Sequence, residues 1–151
     1  MGQRREKKQW NKSFLEKQVI IFLLLNSFHF VLYLVVNPGK VMDPQKKGDK
    51  PCIVLIDHLP GNLTKSDDVC SVIYAMLNMA LVMAYGNQDY ANMFNKKLLP
   101  LQQLDNIPKQ TDGHNCGAIM GIDYLNIVDC LWHKQKFSVD VLWSWITEPY
   151  E

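Results

Sequence analysis

An apolar run of 18 residues near the N-terminus, Val19 to Val36, constrains the fold of this chain more than any other feature. Its length would allow a transmembrane helix. However, Asn26, Ser27 and His29 interrupt its middle, where polar groups are costly in the hydrocarbon of a bilayer. The two apolar halves are also rich in Val, Ile and Phe, which favour strands. We therefore predict two buried strands joined by a turn, with a membrane-anchored protein as the alternative.

The composition points to one globular domain and argues against several function classes. The chain has 151 residues, of which 48% are hydrophobic and 21% are charged, a balance typical of a single domain. Its net charge of +1 provides no basic field for binding nucleic acid. No pair of the four cysteines has C-x-x-C spacing, and Cys130 with His133 gives only one half of a zinc site. We expect reduced thiols, no metal, and a nuclear or cytoplasmic location.

Hydrophobic spacing predicts strands mostly early in the chain and two long helices, which is an α+β fold. The methionines at 76, 79 and 83 are expected to fill the core. Asp123 falls on an apolar helical stripe, and the sequence offers no reason for a carboxylate there. The C-terminal tail, with Trp143 and Trp145, is expected to pack on the body. The predicted strands are Val19 to Leu25, Phe30 to Val36, Cys52 to Asp57 and a short one within Leu98 to Leu104; the predicted helices are Asp67 to Gly86 and Cys116 to His133.

The residues that carry chemistry gather around Cys116, which lies between a polar loop and an apolar helix. Backbone amides at a helix N-terminus stabilise a thiolate and lower its pKa. Gly117 is expected to leave open space beside the sulfur. Gln110, on the same loop, carries a side-chain amide suited to donating a hydrogen bond to an oxyanion. Without further support, the alternative is a buried structural thiol.

A thiolate nucleophile needs a base, and the base needs an orienting acceptor. His29 opens the second predicted strand and Asp57 ends the third. If those strands are neighbours, both side chains lie at one end of the sheet, facing the helix that begins at Cys116. His114 is a second candidate for the base, but the side chains of His114 and Cys116 are expected to diverge at the helix entrance. Cys52, Cys70 and Cys130 fall on apolar stretches and are expected to be inert core thiols.

In this order the residues resemble the Ulp1-type cysteine proteases, the family of the sentrin-specific (SUMO) proteases. That family shows His-Trp at the start of a strand, then Asp-Ser-Leu, Pro-x-Gln and Asp-Cys-Gly. Two further stretches are similar to the poly-SUMO-trimming branch, Trp10 to Lys12 and Lys50 to Asp57. The corresponding segments in this sequence are His29-Phe30, Asp57-His58-Leu59, Pro108-Lys109-Gln110 and Asn115-Cys116-Gly117.

The resemblance implies a papain-like α+β cysteine protease fold, with a small mixed sheet and the nucleophile-bearing helix packed on it. It also implies a peptidase or isopeptidase that cleaves after the C-terminal glycine of SUMO or a related ubiquitin-like modifier. No cofactor, nucleic acid or membrane is implied, and the chain is expected to be a monomer. The implied roles are His29 as base, Asp57 as orienting carboxylate, Gln110 as oxyanion donor and Cys116 as nucleophile, with Phe30 and Gly117 binding substrate.

This sequence departs from the family pattern at three neighbours of the implied site. Phe30 replaces Trp, His58 replaces Ser and Asn115 replaces Asp. The resemblance covers about residues 10 to 130, and the family's N-terminal helices and clamping tryptophan have no counterpart in it. We therefore expect a single, N-terminally short protease domain over residues 1–151. The alternative is an inactive or fragmentary domain that binds SUMO or a related modifier.

Overall fold

The computed structural model describes residues 13–26, 29–59, 66–104, 107–110, 115–133 and 139. The fold is mixed α+β, as the sequence predicts. The bounds of the first three predicted strands and of both predicted long helices agree with the structure to within one residue, and the predicted range Leu98 to Leu104 contains the observed fourth strand. There are also two 3-10 turns, Pro38–Val41 after the second strand and Gln88–Asn92 after the first long helix. The elements are β1 (Val19–Asn26), β2 (His29–Val36), β3 (Cys52–Ile56), α1 (Ser66–Tyr85), β4 (Leu101–Gln103) and α2 (Cys116–Trp132).

The four strands form one mixed sheet in the order β1-β2-β3-β4. β1 pairs antiparallel with β2, from Val19 opposite Val36 to Asn26 opposite His29. The apolar run is therefore a pair of strands, as predicted, and the alternative of a membrane helix through it is wrong. β2 is antiparallel to β3, with Leu32 opposite Ile56, whereas β3 and β4 are parallel. The start of β2 and the end of β3 consequently lie at the same end of the sheet.

The two long helices cover opposite faces of the sheet. On one face, Leu32, Leu34 and Val36 of β2 belong to a buried cluster that includes Met120 and Ile127 of α2. The intervening residues of β2 belong to a second cluster on the other face, with Ile73, Leu77 and Leu81 of α1. Because both faces of the strand are buried, its sequence is continuously apolar instead of alternating. This burial, at about 1.5–3 kcal/mol for each large side chain, is the main stabilisation of the sheet.

The exposed face of α1 corrects one expectation. Met76, Met79 and Met83 are between 46% and 60% exposed, so they do not fill the core. Ile73, Leu77 and Leu81 already occupy the face that contacts the sheet. The helix rotates by 100° per residue, so positions 76, 79 and 83 point in a different direction from positions 73, 77 and 81. The methionines therefore lie on another face of the same helix. After Asp68 the helix carries no charged residue, and because apolar residues lie on both of its faces, its sequence gives no signal for which face is buried.

By length and mean hydropathy (1.5 over an 18-residue window), α1 is also the one helix of the described residues that could cross a membrane. Core helices of soluble proteins meet the same criteria. About a third of that window is buried inside the structure, and five apolar residues of α1 are buried. These residues are Cys70, Ile73, Leu77, Leu81 and Ala84.

Asn78 holds the segment after α1 to the helix, and its loss is expected to destabilise the fold. Its Nδ2 donates to the Phe94 carbonyl (2.9 Å), and its Oδ1 accepts from the Phe94 N–H (2.7 Å). Asn78→Ala leaves both buried backbone groups unsatisfied, so we expect the free energy of unfolding to fall by about 2–4 kcal/mol. Urea titration would measure this. Asn92→Ala, at an exposed asparagine, should change it by less than about 0.5 kcal/mol.

Three of the cysteines are buried core thiols, as expected. Cys52, Cys70 and Cys130 are all free and buried. Burial raises the pKa of Cys52 and of Cys70 to about 11, with a further increase from nearby carboxylates. Burial also raises the pKa of Cys130. Because the thiolate is the reactive species, these three side chains are poor nucleophiles near neutral pH.

Candidate functional site

His29 and Asp57 form a buried hydrogen-bonded pair at one end of the sheet. His29 is the first residue of β2, and Asp57 directly follows β3. The Nε2 atom of His29 lies 2.7 Å from Oδ1 of Asp57, and both side chains are less than a tenth exposed. The same carboxylate oxygen accepts the backbone N–H of Leu59 at 2.9 Å. The carboxylate is therefore fixed by the chain that follows it and in turn fixes the imidazole.

This geometry determines which nitrogen of His29 is available for proton transfer. An ionised carboxylate only accepts hydrogen bonds, so Nε2 carries the hydrogen. In the neutral ring, Nδ1 then holds the lone pair and is the basic nitrogen. A histidine oriented in this way by a carboxylate has the arrangement of a general base.

Cys116 is the first residue of α2 and is buried. The helix contacts β2 where Phe30, next to His29, meets Gly117, next to Cys116. A methyl group at Gly117 would lie 3.4 Å from Cε2 of Phe30. The expectation of open space at Gly117 is therefore corrected, since the Phe30 ring occupies that side of the glycine. The same contact brings the strand that starts with His29 against the first turn of the helix that starts with Cys116.

The backbone of Gln110 is hydrogen-bonded to the loop that carries Asp57. Its backbone N–H donates to the carbonyl oxygen of His58 at 2.8 Å. The segment 107–110 therefore runs beside the residue that follows the carboxylate, and Gln110 is half-buried there. Of the four predicted catalytic residues, the structure joins His29 to Asp57 directly. The structure connects Gln110 to this pair through its backbone hydrogen bond to His58. It connects Cys116 to the pair through the contact between Phe30 and Gly117.

An apolar groove of about 210 Å³ lies beside the first turns of α2. No charged residue lines it, so it suits an uncharged extended peptide better than a charged one. Both residues predicted to bind substrate, Phe30 and Gly117, are part of its wall. The full lining is Leu23, Phe30, Gly117, Met120, Gly121 and Tyr124.

The structure contains a second buried histidine–aspartate pair, whose histidine directly follows Asp57 in the chain. His58 Nδ1 is 2.7 Å from the Pro108 carbonyl oxygen, and its Nε2 is 2.6 Å from Oδ2 of Asp123. The two side chains are at most 1% exposed. Asp123, unexplained on the apolar stripe of its helix, is thus the partner of a buried histidine. Sequence reasoning missed this pair, although the carboxylate on an apolar stripe was its signal.

Both nitrogens of His58 face oxygen acceptors, which favours the doubly protonated imidazolium. Burial lowers the pKa of His58, but the hydrogen bonds to Asp123 and Pro108 and the charges of Asp123 and Asp57 outweigh burial. The pKa of His58 is therefore raised above its ordinary value of 6.5. The charged pair stabilises the fold fully below the pKa of the unfolded state, and this stabilisation is lost as pH rises through the higher folded pKa.

We therefore expect the free energy of unfolding to decrease above pH 6.5 by at most about 1.4 kcal/mol per pH unit from this group. Denaturant titrations between pH 5.5 and 9 would measure it. In Asp123→Asn the charge of Asp123 and its charge-assisted hydrogen bond are lost while Pro108 and Asp57 remain, so the decrease should become smaller. An equal decrease in both proteins would contradict the assignment to His58.

Several predicted features lie outside the described residues, namely the Trp10 to Lys12 stretch, His114, Trp143 and Trp145. Cys130 and His133, which in sequence form one half of a zinc site, lie in different environments in the structure. Cys130 is buried, whereas the exposed His133 pairs with Asp129 at 3.0 Å. Within the described ranges no three His, Cys, Asp or Glu side chains are arranged to hold a metal ion.

No family model matches this sequence, and no curated protein matches it significantly. Comparison of the fold with solved structures does find a similarity. A crystal structure of a de-sumoylating protease aligns with a TM-score of 0.56 at 15% sequence identity, over 96% of this chain and 54% of that one. The chain thus spans about half the length of that protein. At this identity the similarity shows a shared fold.

Proposed function

We propose that this chain is a papain-like cysteine peptidase or isopeptidase of the Ulp1 type, cleaving after the C-terminal glycine of SUMO or a related modifier. The buried hydrogen bond between His29 and Asp57 carries the proposal. This pair lies at one end of the sheet. The first turn of α2, which begins with Cys116, packs against the same end. The similarity in fold to a de-sumoylating protease supports the same reaction class.

In the proposed reaction, Nδ1 of His29 takes the proton of the Cys116 thiol. The thiolate attacks the carbonyl carbon of the modifier's terminal glycine, and the carbonyl electron pair moves to oxygen. The Gln110 side-chain amide and the Cys116 backbone N–H donate to that oxyanion. The tetrahedral species collapses, the C–N bond breaks, and the proton on His29 passes to the leaving amine. Water, deprotonated by His29, then hydrolyses the thioester and releases the cysteine.

The groove beside α2 supports a modifier tail as substrate. Cleavage after glycine requires an extended chain without bulky side chains to pass close to the nucleophile. Phe30 and Gly117 provide an aromatic wall and a position without a side chain, next to His29 and Cys116. The groove that adjoins this contact is apolar and lined by no charged residue, which suits a narrow, uncharged peptide. In the proposal the chain acts as a monomer, in the nucleus or cytoplasm, with SUMO or a related protein as its partner.

Covalent labelling tests the function directly. The chain would be incubated with SUMO and with ubiquitin, each carrying a thiol-reactive electrophile in place of the C-terminal carboxylate. We expect a covalent adduct with SUMO, and release of monomers from a SUMO dimer. Absence of both adducts and of cleavage would overturn the proposal. Binding of unmodified SUMO under those conditions would identify an inactive binding domain instead.

A further inference from the structure

The buried pair His58–Asp123 connects the three segments that carry the candidate site. His58 follows Asp57 directly in the chain. Its ring hydrogen bonds to Pro108, and its backbone oxygen accepts the N–H of Gln110. Its other ring nitrogen reaches Asp123 on α2. One residue therefore ties the loop of the carboxylate, the segment of the oxyanion donor and the helix of the nucleophile to one another.

The position of Asp123 on α2 determines what this connection controls. Asp123 is seven residues after Cys116, which is about 10.5 Å along the axis and within about 20° of the same helical direction. The buried stripe of α2 contains Cys116, Met120, Asp123, Ile127 and Cys130. Apolar contacts along this stripe are non-directional, and each permits small rotations and translations of the helix. The hydrogen bond between His58 and Asp123 is directional and thus sets the rotation of α2 relative to the sheet end.

We propose that His58 and Asp123 are positioning residues, which hold Cys116 and Gln110 in register with His29 and Asp57. The proposal rests on the proposed function, because register matters only if these four residues react together. His58 and Asp123 do not themselves touch substrate in this scheme. A displacement of about 1 Å between reacting groups can reduce a rate by about 100-fold.

Two variants separate positioning from stability. The double variant His58→Leu/Asp123→Leu removes the bonds but fills the site with apolar side chains, a replacement that often preserves or increases stability. Asp123→Asn keeps both bonds, since a neutral His58 can donate from Nδ1 to Pro108 and accept at Nε2 from the asparagine amide. We expect the double variant to lose about 10- to 100-fold in kcat on a SUMO substrate, with KM within about threefold and an unchanged melting temperature. Asp123→Asn should retain kcat at pH 7 within about threefold.

An independent measurement keeps the inference testable without catalysis. Hydrogen exchange of the Gln110 backbone amide reports whether its bond to the His58 carbonyl persists. We expect faster exchange in the double variant and wild-type exchange in Asp123→Asn. If wild-type protein fails to react with SUMO, the proposed function fails while exchange still tests the connection. A folded double variant with wild-type kcat, or with wild-type exchange at Gln110, would overturn the positioning role.

Discussion

Cys116→Ala is expected to abolish covalent labelling by a SUMO C-terminal electrophile and to reduce cleavage of a SUMO dimer by at least about 10,000-fold. The reason is chemical, since the sulfur forms the bond to the glycine carbonyl and alanine has no nucleophile. Binding of SUMO should persist, because the substitution removes one atom from a buried residue at the start of α2. Gel-shift labelling and single-turnover cleavage would measure the effect.

Cys70→Ala is the matched control for this experiment. Cys70 is also buried, but it belongs to the cluster on the opposite face of the sheet, and burial raises the pKa of its thiol to about 11. The protein with this substitution should label at the wild-type rate. Labelling that survives Cys116→Ala but disappears in a variant of another cysteine would show that the nucleophile is misassigned.

Asp57→Ala has the second largest expected effect, a decrease in kcat of about 100- to 10,000-fold with SUMO binding retained. The carboxylate oxygen that bonds to His29 also accepts the Leu59 N–H. Its removal frees the imidazole to rotate and to adopt the other tautomer, and loosens the loop after β3. Steady-state kinetics with a SUMO fusion to a fluorogenic amide would separate kcat from KM.

Asp57→Asn is the control that distinguishes charge from orientation. One oxygen of Asp57 accepts both bonds, so an asparagine Oδ1 in the same place preserves the orientation of His29 and loses only the negative charge. We expect it to retain about 10- to 100-fold more activity than the alanine variant. Equal activity of Asp57→Ala and wild type would remove Asp57 from the mechanism. Equal activity of the two variants would show that charge, and not orientation, is what Asp57 contributes.

The elements of the fold were predictable because their signals are local. Asn26 and Ser27 divide the apolar run, and in the structure the first strand ends at Asn26 and the second begins at His29. Gly86 has a φ of +69° and its N–H bonds to the Val82 carbonyl, so it ends α1 as its position in the sequence predicts. The burial of α1 was not predictable. Its apolar residues surround the helix, and only contact with the sheet separates the buried Leu77 from the exposed Met79.

The residues of the candidate site stay a prediction from the sequence, and the structure shows one part of their geometry, the hydrogen bond between His29 and Asp57. The order of His29, Asp57, Gln110 and Cys116 suggested a site by resemblance to a known protease family. The contact between Phe30 and Gly117 was not expected, because the space beside a glycine depends on which side chain approaches it. The pairing of His58 with Asp123 was missed because each residue, considered alone, looked like a departure from an expected pattern.

The sequence by itself determined where strands and helices begin and end, and which side chains are capable of chemistry. Those properties depend on interactions within a few residues, such as turn formation, helix capping and apolar periodicity. Only the tertiary structure decided that β2 and β3 are antiparallel neighbours, which joins His29 to Asp57 across 28 residues. It also decided the rotation of α2, which joins His58 to Asp123 across 65 residues. Strand order and helix rotation arise from packing of the whole core, and no local pattern in the chain encodes them.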